Sequence, residues 1–224
     1  MSGLFVTGTD TGCGKTSVAC VLAQALRSAG RTVAVLKPVE TGCEAGVATD
    51  AVALARAAGD HRSLDDVCPY RFALPAAPNV AARAEQADID LARIERAYRA
   101  ARDQADAVLV EGAGGALVPV TDQCDMLGLV RRLELPLLVV ARATLGTINH
   151  SLLTLEAARA RGLEVLGLVV SHTEPVLSDS DHANLQALLE VLGPLYLGEL
   201  LHGAGQLKPA SGFESVLSRL APAS

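Results

Sequence analysis

Apolar residues along this chain fall into two alternating rhythms. Short unbroken runs at 4–7, 32–36, 107–110, 137–141, 165–170 and 195–197 are rich in Val, Leu and Ala. Their length and lack of polar alternation predict strands buried on both faces. Between them, apolar positions recur at three- and four-residue spacing. That period predicts helices over 17–29, 51–58, 89–104, 125–133, from about 150 to 161, 181–192 and 211–220. Gly59 stops the second of these, and Asp88 or Asp90 enters the third. Residues 37–42 read as a loop, and 61–80, with three prolines and no period, as irregular chain. Strand and helix alternate with no linker and no internal repeat. The expectation is an α/β fold: one domain over 1–224, with a mostly parallel sheet of six or seven strands and helices on both faces. Ligands in such folds bind beyond the C-terminal ends of the strands.

The residues at those ends carry the candidate chemistry. Between the first strand and the first helix stands Gly8-Thr9-Asp10-Thr11-Gly12-Cys13-Gly14-Lys15-Thr16. Strand, glycine-rich loop, Lys-Thr and helix make the P-loop arrangement, here with five residues rather than four between Gly8 and Gly14. Loop amides and a helix N-terminus suit phosphate. Lys15 is suited to the outer phosphates and the Thr16 hydroxyl to Mg2+. Glu111 follows a buried strand, where a second Mg2+ oxygen ligand is expected, and Gly112, Gly114 and Gly115 bring backbone amides beside it. Asp50 is either a further carboxylate ligand or the cap of the helix after it. Lys37, at another strand end, is either a second cation for the phosphates or a surface lysine. Residues 145–150 lead into a helix N-terminus suited to an anion, or simply capped by Thr147 or Asn149. The string Asp125-Met126-Leu127-Gly128 matches a GTPase motif by chance, since no Asn-Lys-x-Asp string accompanies it.

Charge and cysteine usage exclude other classes. The net charge of −6, the absence of a basic block and the lack of Trp argue against nucleic acid. Five cysteines without a C-x-x-C pair read as free thiols in a reducing compartment, with Cys13 a small filler in the loop. No apolar run has the length of a membrane span. A phosphate loop beginning at Gly8 leaves no room for a signal peptide, so a cytoplasmic chain with no membrane partner is expected.

Taken together, GTDTGCGKT at 8–16, KPVETG at 37–42, TDAVAL at 49–54, VEGAGG at 110–115 and LGTINH at 145–150 resemble dethiobiotin synthetase in order and spacing, end to end. That resemblance implies a single P-loop NTPase-like domain. It implies a reaction of 7,8-diaminononanoate (7,8-diaminopelargonate) with CO2 and ATP through a carbamate and a carbamic-phosphoric anhydride to a cyclic urea, in biotin biosynthesis. It implies Mg2+ at Thr16, Asp50 and Glu111, and catalytic roles for Lys15 and Lys37. Nucleotide contacts would fall at Gly12, Cys13, Gly14, Lys15, Thr16, Ser17, Glu111, Gly114, Ser171 and His172. Thr11, Lys37, Thr41 and Gly115 would meet the substrate. A homodimer is implied, with Leu145, Gly146, Thr147 and Asn149 of one subunit receiving the substrate carboxylate of the other. Ser171 stands where the family carries an Asn that reads adenine, and Leu201 where Pro is usual, so weak discrimination between nucleotides is expected.

Two competing readings share the phosphate loop. Cobyrinate-type amide synthetases normally carry a glutamine-hydrolysing domain that this length does not accommodate. ParA/MinD-like ATPases carry an early loop lysine, where this chain has Thr9 or Asp10.

Overall fold

The computed structural model describes residues 3–220. Strand β1 (Gly3–Gly8) runs through the glycine-rich loop into helix α1 (Lys15–Ser28), and the chain returns as β2 (Val33–Leu36). It continues through β3 (Val39–Thr41), α2 (Thr49–Ala58), α3 (Leu64–Val67), β4 (Tyr70–Phe72), α4 (Pro78–Ala84) and α5 (Leu91–Arg102). Next come β5 (Ala107–Gly115), β6 (Pro119–Thr121), β7 (Cys124–Asp125), α6 (Met126–Leu133) and β8 (Leu137–Arg142). The last elements are α7 (Thr147–Ala160), β9 (Val165–Ser171), α8 (Asp179–Leu192), β10 (Tyr196–Leu200), β11 (Lys208–Pro209) and α9 (Phe213–Arg219).

The central sheet has seven strands in the order β11, β10, β9, β8, β1, β5, β2. All pair in parallel except the two-residue edge strand β11, which is antiparallel to β10. Alternate side chains of each strand enter different cores. Phe5, Val108, Val110, Val139 and Val170 pack with α5, α6, α7 and α8, while Leu4, Val6, Leu109, Val140 and Val169 pack with α1, α2 and α9. This two-sided burial is why the strands read as continuous apolar runs. Helix α1 supplies a matching stripe, with Val18, Ala19, Leu22, Ala23 and Leu26 all buried.

Seven short elements depart from the expectations. Residues 37–42 contain β3, and the irregular stretch 61–80 contains α3, β4 and the start of α4. β3 and β4 pair only with each other, Glu40 opposite Arg71, and their three residues each leave no period to read. Pro78 opens α4, where its missing N–H costs nothing. Residues 119–125 form the β6–β7 ribbon, and β11 is two residues long.

Candidate active site

β1 lies between β5 and β8, so the strand order reverses there, and the glycine-rich loop leaves the sheet at that switch point. Gly14 holds φ 92°, and a Cβ on it would stand 2.2 Å from Ser171 Oγ. A Cβ on Gly8 would stand 2.5 Å from Cys13 Sγ. Both positions therefore require glycine. Cys13 is wholly buried beneath the loop, the filler its sequence context suggested. Lys15, also buried, donates from Nζ to the Asp10 carbonyl at 2.9 Å. Asp10 accepts from the Thr11 N–H at 2.7 Å and pairs with Arg142 at 3.2 Å, which straps the loop to β8.

A cleft of about 830 Å³ opens along the loop. Toward the β2–β5 half of the sheet it is bounded by Lys37, Glu40, Thr41, Asp50, residues 75–78 and Glu111. Toward the β9–β10 half it is bounded by Ser171, His172, Thr173 and residues 200–204. Thr11, Gly12, Gly14, Lys15, Thr16 and Ser17 lie between these ends, and Gly114 also lines the cleft. Gly115 pairs with Gly8 instead. Leu145, Gly146, Thr147 and Asn149 are not part of this chain's cleft.

The charged centre lies at the β2–β5 end. Lys37 Nζ donates to Asp50 Oδ2 at 2.8 Å and makes a short contact with Glu111 Oε1. Thr16 Oγ1 donates to the same Glu111 oxygen at 2.8 Å. Lys37 and Glu111 are 3% and 1% exposed, so water screens this pair little. Burial alone would lower the Lys37 pKa, but Glu111 and then Asp50 outweigh it and hold the ammonium above the usual lysine range. Burial pushes Asp50 up, yet Lys37 draws it below the usual carboxylate range, with Thr16 and Lys15 acting in the same sense. Burial raises the neighbouring Glu40 carboxyl.

One ammonium between two carboxylates leaves a net negative charge, and Glu111 Oε2 is buried with no partner. Thr16, Asp50 and Glu111 offer hard oxygen donors around that point, the set that suits Mg2+. Among the described residues no three His, Cys, Asp or Glu side chains converge, so phosphate and water would have to complete the shell. The donor set therefore fits Mg2+ bound together with a nucleotide.

At the other end His172 Nε2 lies 2.7 Å from Glu199 Oε2, and Tyr196 donates to Glu199 Oε1 at 2.8 Å. Ser171 is 3% exposed and pressed against Gly14.

With this geometry in view, the similarity to known proteins becomes specific. A family described as AAA domain (AAA_26) matches residues 2–202. The ATP-dependent dethiobiotin synthetase BioD of Anaeromyxobacter sp. (strain Fw109-5) is 44% identical over 202 residues, 90% of this chain and 91% of that protein. The one from Bacillus cereus is 36% identical over 216 residues, 96% of this chain and 89% of its own length. The chain belongs to the dethiobiotin synthetase family. Dethiobiotin synthetases are cyclo-ligases, and the protein of Anaeromyxobacter dehalogenans (strain 2CP-C) is 51% identical over 175 residues, 78% of each chain. Among solved structures, chloroplast FtsY from Physcomitrella patens aligns with a TM-score of 0.57 at 18% identity, covering 99% of this chain and 65% of that one. That likeness concerns the fold: a parallel α/β sheet with a P-loop.

The local geometry also decides the alternative capping roles. Asp50 is the second residue of α2 and does not cap it. Gly146, at φ 90°, precedes α7 without any side-chain cap, so neither Thr147 nor Asn149 fills that role. Asp125 caps α6 through the Gly128 N–H at 2.8 Å, which accounts for the GTPase-like string. No helix among the described residues is long and apolar enough to cross a membrane. Sequence reasoning missed Glu40, Arg142 and residues 75–78. None carries a local signal, because Glu40 and residues 75–78 reach the cleft, and Arg142 reaches Asp10, only through the fold.

Proposed function

We propose that this chain is an ATP- and Mg2+-dependent dethiobiotin synthetase that carboxylates 7,8-diaminononanoate with CO2 and closes the ureido ring in biotin biosynthesis. One observation carries the reading: the Lys37 ammonium stands between Asp50 and Glu111, beside Thr16 at the mouth of the phosphate loop. One substrate amine attacks CO2 and, losing a proton, becomes a carbamate. The carbamate oxygen attacks the γ-phosphorus of ATP and releases ADP. The second amine then attacks the carbonyl carbon of the anhydride and expels phosphate, leaving a five-membered urea.

The chain's own contribution is positioning and charge. The loop amides and the α1 N-terminus hold the phosphates, and Lys15 follows charge onto the γ-phosphoryl oxygens. Lys37 exchanges part of its pairing with Asp50 and Glu111 for the anionic carbamate. Thr16, Asp50 and Glu111 would hold Mg2+, whose chemistry is to neutralise the phosphates. Thr11 and Thr41 contact the diamine, while Ser171 and His172 border the base.

The enzyme acts as a cytoplasmic homodimer of single-domain subunits. Supporting this, Leu145 is 75% exposed and Asn149 is exposed, both outside their own chain's cleft and accessible to a second copy, whereas Thr147 is buried within its own chain. The test is incubation with the diamine, ATP, Mg2+ and 13C-bicarbonate. Mass spectrometry should find dethiobiotin carrying one labelled ureido carbon, formed one-for-one with ADP. ADP release without labelled dethiobiotin would refute the proposal.

A further inference from the structure

Helix α2 carries Asp50 at its second position but has no cap of its own. Ala48 precedes it, and no side chain there accepts from the first-turn amides. Those amides are taken by Glu40, from β3. Glu40 Oε1 accepts from the Asp50 backbone N–H at 2.9 Å and from the Thr49 hydroxyl at 3.4 Å. Glu40 Oε2 accepts from the Ala51 N–H at 2.9 Å. The residue is 5% exposed. An anion at this end of a helix is favoured by the helix dipole as well as by the bonds themselves. With both oxygens committed to α2, Glu40 borders the cleft without being free to act as a ligand or base.

We infer that Glu40 is a positioning residue: by gripping the first turn of α2 it fixes the Asp50 carboxylate opposite Lys37 and Glu111, and so sets how tightly the site holds a divalent cation together with nucleotide. The inference rests on the reading of this site as a Mg2+·ATP centre. Asp50 has its backbone N–H in Glu40's grip and its carboxylate on Lys37, so the residue is held from two sides. Without Glu40, the first turn of α2 has amides with no acceptor and is free to fray, and Asp50 moves with it. An ordinary helix cap would alter stability alone. A cap acting on Asp50 alters cation-dependent binding, and does so only while Asp50 is a carboxylate.

The experiment is calorimetric ATP binding to the whole chain, without diamine so that no turnover intervenes, once in Mg2+ and once in EDTA. Glu40→Ala should weaken binding in Mg2+ by about 10- to 100-fold, as loss of a supporting partner does at metal sites, and leave binding in EDTA unchanged. In an Asp50→Asn background the same substitution should change binding in Mg2+ by less than about 2-fold, because its route to the site is already cut. Equal losses in Mg2+ and EDTA, an undiminished loss in the Asp50→Asn background, or no loss at all would each overturn the inference. If Glu40→Ala does not fold, Glu40→Gln keeps the shape and one acceptor, and should show a smaller loss confined to Mg2+. Wild-type protein that binds ATP equally with and without Mg2+ would overturn the metal reading and this inference with it. Intact Mg2+ dependence in the Glu40 variants would overturn this inference alone.

Discussion

Removing the Lys37 ammonium tests the charged centre most directly. In Lys37→Met the side chain keeps much of its length and loses its charge. Glu111, 1% exposed, then retains only the Thr16 hydroxyl on Oε1 and nothing on Oε2. Breaking a buried ion pair from one side costs about 3–5 kcal/mol, because the remaining charge stays buried without its partner. Asp50 is 41% exposed and is rehydrated, so Glu111 carries the penalty and the lower figure, about 3 kcal/mol, applies. At roughly 2–4 °C per kcal/mol for a chain of this size, the melting temperature should fall by roughly 6–12 °C. The assay is thermal unfolding of four proteins: wild type, Lys37→Met, Glu111→Gln and the double variant. The double variant should recover more than half of the Lys37→Met loss, because a neutral amide does not need the counter-ion. Millimolar Mg2+ should recover part of the loss in Lys37→Met but none in the double variant. A Lys37→Met protein that melts within about 2 °C of wild type would refute the premise that the site holds a buried, charge-dependent pair.

Further outcomes follow from the same geometry. Lys15→Gln should lower kcat at least ~100-fold, about 2.7 kcal/mol of transition-state stabilisation, and near-normal turnover would remove the phosphate loop from the mechanism. Mixing Lys15→Gln subunits with subunits bearing Asn149→Trp should restore activity if sites are shared between copies; demonstrable heterodimers without recovery would show self-contained subunits. The kcat/KM values for ATP, CTP, GTP and UTP should lie within about 10-fold, since no more than one hydrogen bond of discrimination is expected at Ser171. An ATP preference above roughly 1000-fold would reveal a dedicated base reader. Burial pushes Asp60 up, but bonds from Arg62 and the Val35 N–H hold it below the usual carboxylate range. With the folded value depressed, its contribution is complete above the unfolded value and disappears as pH falls through the folded one. The urea midpoint should therefore fall less between about pH 6 and pH 3 in Asp60→Asn than in wild type, and parallel curves would refute the assignment.

What was legible in the sequence is what its chemistry or period fixes locally. The phosphate loop was readable because strand, glycines, Lys15, Thr16 and helix are contiguous. The six parallel strands of the sheet were readable because two-sided burial leaves unbroken apolar runs. Glu111 was readable as an acid site because it directly follows such a run, although β5 continues through it to Gly115. The remainder depends on partners distant in sequence. β3 and β4 exist only by pairing with each other across α2 and α3. Glu40 looks like an unremarkable member of KPVETG until α2 presents its amides to it. Arg142 gains its partner Asp10 from 132 residues away. The segment at 145–149 was readable as a helix entry, and α7 does begin there at Thr147.

The reversal of strand order at β1 has a consequence for how such a protein can change. The two ends of the cleft are built by opposite halves of the sheet: Lys37, Glu40, Asp50 and Glu111 by the β2–β5 half, His172 and residues 200–204 by the β9–β10 half. They meet only through the loop at the centre, and the second half terminates in an edge strand of two residues. Insertions and replacements around β10 and β11 are thus separated from the charged centre by three strands of packed core. The fold is in that sense modular across its own midline: packing changes on the β10–β11 side do not touch the residues of the charged centre.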